Sequence, residues 1–380
     1  MGPLAGVRIL EFAGIGPGPF CAMLLADMGA EIVRIDRAAG QGSPITGDAR
    51  LDVSARGRKS LGLDLKKPEA VRTILRLCRD VDGLIEGFRP GVMERLGLGP
   101  DQCLAENPRL VYGRMTGWGQ TGPLARRAGH DINYLAISGS LYLCGRADER
   151  PSPPLNLVAD MGGGGLLLAF GMLCALLERN RSGRGQVVDA AMYEGAAVLA
   201  TLVYAHKAMG SWQPDRGANL LDSGAHFYEV YTTRDDRFVA VGAIEPQFYA
   251  LLLRGLQLDP ASLPPQMDRS AWPEMKKLFA SIFRTRTRDA WVEVFADGDA
   301  CVTPVLTPEE AAVHPHAVAR AAFRTSSGAL QPSAAPRFSR SDPARPAAPP
   351  QAGEHTETVL SGFGFSADEI SALRAAGAIA

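Results

Sequence analysis

The hydrophobic positions of the first half alternate between two periods. Residues 7–13 form a short apolar run, followed by the turn GIGPGP and a helical stretch over 20–28 that ends at Gly29. In EIVRIDR, Glu31–Arg37, the apolar Ile32, Val33 and Ile35 lie among charged residues, and 60–65, 83–88 and 110–115 are further strand candidates. Between them, 68–79 and 91–98 have helical spacing with proline at or just before the first turn. Strand–helix–strand repetition predicts an α/β fold, with a parallel sheet covered by helices on both faces.

The apolar run 161–177 contains five glycines and predicts a buried helix, shorter than a usual membrane span. A strand over 184–191 and a long helical pattern over 192–209 follow. The pattern then changes. Strands over 227–233 and 237–244, separated by Arg234-Asp235-Asp236, predict a hairpin. Helical stretches at 247–256, 271–284 and 288–295 complete a smaller α+β unit. Residues 332–351, rich in Pro, Ala, Ser and Arg, predict an extended connector. Helical character returns over 354–376.

Composition adds exclusions. Forty basic against forty-one acidic side chains leave a formal charge of −1, so no global attraction to nucleic acid or an anionic membrane is expected. The six cysteines form no C-x-x-C; five have apolar neighbours and predict buried free thiols in a reducing compartment. The first residues, MGPLAGVRILEF, lack signal-peptide character, and the ending AAGAIA is not a peroxisomal address. A cytoplasmic location is the expectation.

Several residues offer chemistry, each with a plainer alternative. GIGPGP, with Asp36 about twenty residues on, has the position of a dinucleotide fingerprint. Pro17 and Pro19 remove N–H donors, however, which favours a tight turn. Arg37, Arg56, Arg58, Lys59, Arg89 and Arg95 fall at strand ends and following turns, where they would suit a phosphorylated cofactor or simply be solvated. Asp160 closes an apolar run before four glycines: either a proton-transfer carboxyl with a raised pKa or the cap of the next helix. Glu245, just before Pro246, is a helix cap or an acceptor for an imidazole. His314 and His316 lack a third metal ligand nearby, and His206, His226 and His355 stand alone. In AGHDINY, His130 and Asp131 read as a helix start whose N–H groups can also hold an oxyanion.

Taken together, GPLAGVRILEFAGIGPGPF, ADMGAEIVRIDR, GFRPGVMERLGLGP, RMTGWGQTGP, AGHDINYLAISG, PPLNLVADMGGG, GQVVDAAMYEG, VAVGAIEPQFY, DACVTPVL and GEHTETVL resemble the α-methylacyl-CoA racemases of the family III CoA transferase (CaiB/BaiF-type) superfamily. The likeness runs from residue 2 to about 360, in order and spacing. It implies a Rossmann-like large domain binding coenzyme A, not NAD, plus a smaller α+β domain, in an interlocked homodimer with no metal. The corresponding division is a CoA-binding domain at 1–188 and 352–380, a linker at 189–225, a small domain at 226–318 and a return linker at 319–351. His130 and Asp160 become the two acid–base groups, and Glu245 of the other chain orients His130. The Asp131 N–H holds the thioester oxygen, and Arg37, Lys59, Arg89 and Arg95 lie near the CoA phosphates. The implied reaction is racemisation at C2 of 2-methylacyl-CoA thioesters through an enolate.

The principal alternative is a family III CoA transferase using Asp160 as covalent nucleophile. The His130 of GHDINY argues against it. A decayed CoA-binding protein is disfavoured by the joint presence of His130, Asp160 and Glu245, and a nicotinamide dehydrogenase by the two prolines. Ser223 and His226 depart from the D-G-G-A-P of relatives, which bears on substrate preference if that loop lines the acyl pocket. Bile-acid side chains, branched fatty acids and arylpropanoates all share the reacting unit.

Overall fold

A computed structural model describes residues 1–38, 48–343 and 346–380. Six strands, β1 (Arg8–Phe12), β2 (Glu31–Arg37), β3 (Arg58–Leu63), β4 (Gly83–Glu86), β5 (Val111–Thr116) and β6 (Val187–Ala191), form one sheet ordered β3-β2-β1-β4-β5-β6. All its pairings are parallel, with Leu10 opposite Val33 on one side and Leu84 on the other. The α/β expectation therefore holds. β4 and β5 are buried at every residue, as strands covered on both faces must be. The strand order reverses between β1 and β4, so their carboxyl ends open the crevice in which such sheets take ligands.

GIGPGP forms the turn from β1 into α1 (Pro17–Asp27). Gly16 caps that helix at φ 72°, ψ −122°, a conformation open to glycine, and Pro17 occupies the first turn, where its missing N–H is harmless. The next helices are α2 (Pro68–Cys78), α3 (Val92–Arg95), α4 (Pro100–Glu106) and α5 (Asp131–Ser138). The seven-residue α4 was absent from the sequence expectation, being too short to show a helical period.

The expected buried helix over 161–177 needs correction. It begins earlier, as a π-helix at Leu157–Leu166, and continues as α6 (Leu167–Ser182). Asp160 thus lies inside the helix and not at its cap. The 26-residue run is apolar and long enough to span a membrane by length and composition, with hydropathy 1.7. One face packs inward: Met172 lies against Gly83 of β4 and Gly113 of β5. The other does not. Leu166, Phe170, Leu173 and Leu177, spaced three or four residues apart, are exposed. Both faces are apolar, so the composition could not reveal that only one is covered.

Two of the glycines of this helix, Gly163 and Gly165, let neighbouring backbones approach. A Cβ on Gly165 would lie 2.6 Å from the Pro17 carbonyl oxygen of α1, and one on Gly163 2.7 Å from the Ala196 nitrogen. The helical pattern over 192–209 divides at Ala200 into α7 (Met192–Leu199) and α8 (Thr201–Ala208).

The chain divides into two compact units. The first comprises Met1–Ser138, Leu155–Ala200 and Val318–Ala380; the second comprises Gly139–Pro154 and Thr201–Ala317. In the second, β7 (Tyr228–Thr232) and β8 (Phe238–Gly242) form the expected antiparallel hairpin, and β9 (Val302–Pro304) extends it. With α9 (Pro246–Gly255), α10 (Trp272–Phe283) and α11 (Arg288–Val294), they enclose an aromatic core of Phe227, Trp272, Phe279, Phe283 and Trp291. The tail helices Thr356–Gly362 and Ala367–Ala375 place Leu360 and Ile370 in the core of the first unit. Residues 344–345 of the expected connector lie outside the described residues.

Candidate active site

The loop after β5 leads into α5, and His130 stands exposed at that helix start, off the carboxyl end of the sheet. Its carbonyl accepts from the N–H groups of Asn133 (2.8 Å) and Tyr134 (3.2 Å), while its own N–H donates to Asn133 Oδ1 at 3.0 Å. The Tyr134 hydroxyl donates to the Gly129 carbonyl at 2.5 Å. The backbone under the imidazole is therefore held on both sides. The N–H groups opening α5, Asp131 among them, have no acceptor within the helix.

Gly129 is small for a packing reason, not for flexibility: a Cβ there would lie 2.8 Å from the Tyr134 ring and 3.1 Å from Trp118. A Cβ on Gly117 would lie 2.2 Å from the same tyrosine ring. Trp118 stacks edge-on against Tyr134, with centroids 4.8 Å apart. This aromatic support has no counterpart among the residues that offer chemistry by type alone. The glycines alternating around Trp118 in TGWGQTG were its visible signal.

Asp160 is half-buried in the first turn of the π-helix. Burial, and then the neighbouring Asp131 carboxylate, raise its carboxyl above the ordinary range, against the opposing effects of Asn156 and His130. The Asn156 amide donates to its Oδ2 at 3.4 Å. Asp131 itself is buried, and its Oδ1 accepts from the backbone N–H groups of Ala159 (2.9 Å) and Asp160 (2.8 Å). The adjacent His130 and Asp131, far from Asp160 in sequence, thus share one electrostatic neighbourhood with it. Tyr134 belongs to it too: burial and the Asp160 charge raise its phenol, while Arg89 opposes them.

Arg89 follows β4, exposed at the carboxyl edge, and Arg95 ends α3. A buried network fixes the intervening loop. Glu86 accepts from the Phe88 N–H at 2.7 Å and from Arg114 at 2.8 Å, and Arg114 also reaches Glu94 of α3 at 2.8 Å. Arg37 is exposed at the carboxyl end of β2.

The other expected cations lie elsewhere. Lys59 is at the amino end of β3, paired at 2.7 Å with Glu31, which begins β2. Arg56 and Arg58 are buried, pairing with Asp27 at 2.6 Å and Glu11 at 2.9 Å. A buried guanidinium needs such a carboxylate, so these two arginines tie elements together and do not line a phosphate rim.

In the second unit, Glu245 is exposed at the start of α9; its carbonyl accepts from the Tyr249 N–H at 2.9 Å, and its side chain makes no cap. Ser223 adopts φ 69°, the left-handed conformation that favours glycine. His226 is buried in the core, with Nε2 2.8 Å from the Tyr249 hydroxyl, so it neither stands alone nor lines an open pocket. His355 is not solitary either: its Nδ1 accepts from the Ser60 N–H at 3.3 Å. Among the cysteines, Cys21, Cys78 and Cys103 are buried, Cys144 is intermediate, and Cys174 and Cys301 are exposed, fewer buried than expected.

The profile of CoA-transferase family III matches residues 4–356. The chain is 52% identical over 370 residues to the alpha-methylacyl-CoA racemase of Mus musculus, covering 97% of this chain and 95% of that protein. It is 50% identical over 372 residues to the enzyme of the same name from Homo sapiens, with the same coverage. Its fold is similar to the crystal structure of a CaiB/BaiF family protein from Brucella suis, at TM-score 0.83 and 25% identity, covering 95% of this chain and 99% of that one.

Proposed function

The chain belongs to CoA-transferase family III, and from that premise we propose that it is an enzyme inverting C2 of 2-methylacyl-CoA thioesters, as an α-methylacyl-CoA racemase. The observation that carries the reading is one imidazole and one carboxyl, on separate helices at the ligand-binding edge of a parallel sheet, each within electrostatic reach of the other.

For one epimer, the Asp160 carboxylate takes the C2 proton. The C–H pair moves into the C1–C2 bond, and the carbonyl π pair moves onto the thioester oxygen, where the Asp131 N–H receives it. Imidazolium His130 then returns a proton to the opposite face and the carbonyl re-forms. The other epimer runs the same steps with the roles exchanged. Burial raises Asp160 toward the range in which a carboxyl both takes and gives a proton near neutrality. Oxyanion donors of this kind contribute roughly 3–4 kcal/mol elsewhere. Arg89, Arg95 and Arg37 are proposed to meet the CoA phosphates from the carboxyl edge. Lys59, turned to Glu31 at the other edge, is left out of that group.

The first unit is proposed as the CoA-binding domain, working in a homodimer whose partner subunit's Glu245 orients His130. The exposed stripe Leu166, Phe170, Leu173 and Leu177 supports a covered face. The six free thiols support a reducing compartment such as the cytoplasm.

Incubation of one 2-methylacyl-CoA epimer in D₂O tests the chemistry. Racemisation with deuterium gained at C2 is expected. An unchanged C2 together with CoA transfer to a free acid would replace this reading by the transferase one, with Asp160 as nucleophile. Co-expression of H130A and E245Q chains tests the dimer: a site completed in trans restores activity to the mixed dimer, and no restoration rejects it.

A further inference from the structure

The backbone ladder of the π-helix begins with the Met161 N–H donating to the Asn156 carbonyl at 3.2 Å. The N–H groups of the residues just before Met161 precede that ladder and need acceptors from elsewhere. Two of them find one oxygen: Asp131 Oδ1 accepts from Ala159 at 2.9 Å and from Asp160 at 2.8 Å. A helix is ordinarily capped by the residue that precedes it. Here the acceptor comes from a different helix, 28 and 29 residues earlier in the chain. It belongs to the residue that follows His130.

We propose that the Asp131 carboxylate is a positioning residue for proton transfer: it caps the helix bearing Asp160 with the side chain of the residue whose own N–H faces the thioester oxygen. This rests on the functional reading above and adds to it. One residue then fixes the separation of all three working parts, since the imidazole precedes it, the oxyanion donor is its own amide, and the second acid–base group hangs from the turn it caps. A relative shift of the two helices would spoil both proton transfers and the oxyanion contact together.

The carboxylate also acts through its charge. Asp131 is buried, and among the described residues its Oδ2 has no hydrogen-bond partner, so little screens it from Asp160. The charged groups that act on Asp160 are Asp131, which raises its carboxyl, and His130, which lowers it. Tyr134 lies alongside, with Arg89 beyond it. The facing parts of α1 and α7 contribute Pro17, Met192, Gly195 and Ala196, none of them charged.

The variants D131N and D131A separate the tie from the charge. Asparagine keeps an oxygen able to accept from both amides and removes the charge; alanine removes both. Two readouts are needed: amide hydrogen exchange of the segment around Ala159 and Asp160 without substrate, and the pH profile of deuterium gain at C2 for each epimer. In D131A, the two amides exchange about tenfold faster or more, and kcat falls by a similar factor with KM nearly unchanged. In D131N, amide protection remains, while the acidic limb of kcat/KM moves to lower pH for the epimer that Asp160 deprotonates. Unchanged amide exchange and kcat in D131A, or a wild-type acidic limb in D131N, overturns the inference alone. Wild-type enzyme that gains no deuterium at C2 overturns the functional reading, and with it any role of Asp131 in proton transfer.

Discussion

Gly16 stands directly against Asp160: a Cβ at position 16 would lie 3.6 Å from Asp160 Oδ2. The turn that resembles a dinucleotide fingerprint thus borders the carboxyl proposed as an acid–base group. Its glycine is favoured by the positive φ, and a Cβ there would only touch the Asp160 carboxyl at ordinary contact distance. Gly16→Ala places a side chain in backbone geometry that costs roughly 1–3 kcal/mol. Thermal unfolding is expected to occur at lower temperature, with kcat reduced. An unchanged kcat would show that Gly16 serves the turn alone.

His130→Ala and Asp160→Ala should each lower C2 deuterium exchange coupled to inversion by about 10²–10⁴-fold, the usual contribution of a positioned acid or base. His130 is exposed and Asp160 half-buried, so neither truncation empties the core, and circular dichroism should remain that of the wild type. Retained inversion in either variant removes that residue from the mechanism.

Arg89→Ala is expected to raise KM for the acyl-CoA more than it lowers kcat. The guanidinium stands at the carboxyl edge on a loop held by Glu86 and Arg114, where it acts on Tyr134 but not as an acid or base. Steady-state kinetics decide the point. A fall in kcat at constant KM would place Arg89 at the reacting carbon and not at the cofactor end.

Burial lowers the His226 pKa from 6.5 to about 4. The unfolded chain therefore binds the extra proton first as pH falls, so the stability tied to neutral His226 is complete above about 6.5 and is lost progressively toward 4. The shift corresponds to something on the order of 3 kcal/mol. Replacing His226 by Phe should flatten the pH dependence of the urea midpoint across this window. An equally steep dependence in the variant would assign it to other groups.

Much of the fold was legible because its signals are local. Glu31–Arg37 alternates as a strand and is β2 to the residue, and the hairpin of β7 and β8 follows from two alternating runs around a polar turn. The candidate acid–base residues were legible only as separate alternatives. AGHDINY contains a helix start, but nothing in it shows that Asp131 turns its carboxylate to another helix. The cations were misleading for a related reason. A run such as RGRK displays three cations without saying that Arg58 is buried against Glu11 while Lys59, beside it, faces solvent and Glu31.

The sequence by itself determined the alternation of strands and helices, the prolines and glycines that punctuate them, and the residue types available for proton transfer, because each depends on neighbours within a few positions. The tertiary structure alone decided which of those residues meet. Packing of the π-helix against α1 and α7, permitted by glycines that let backbones approach, carries Asp160 to Gly16 and to the start of α5. There its pKa is set by burial and by Asp131, two influences that act through space and leave no periodic trace along the chain.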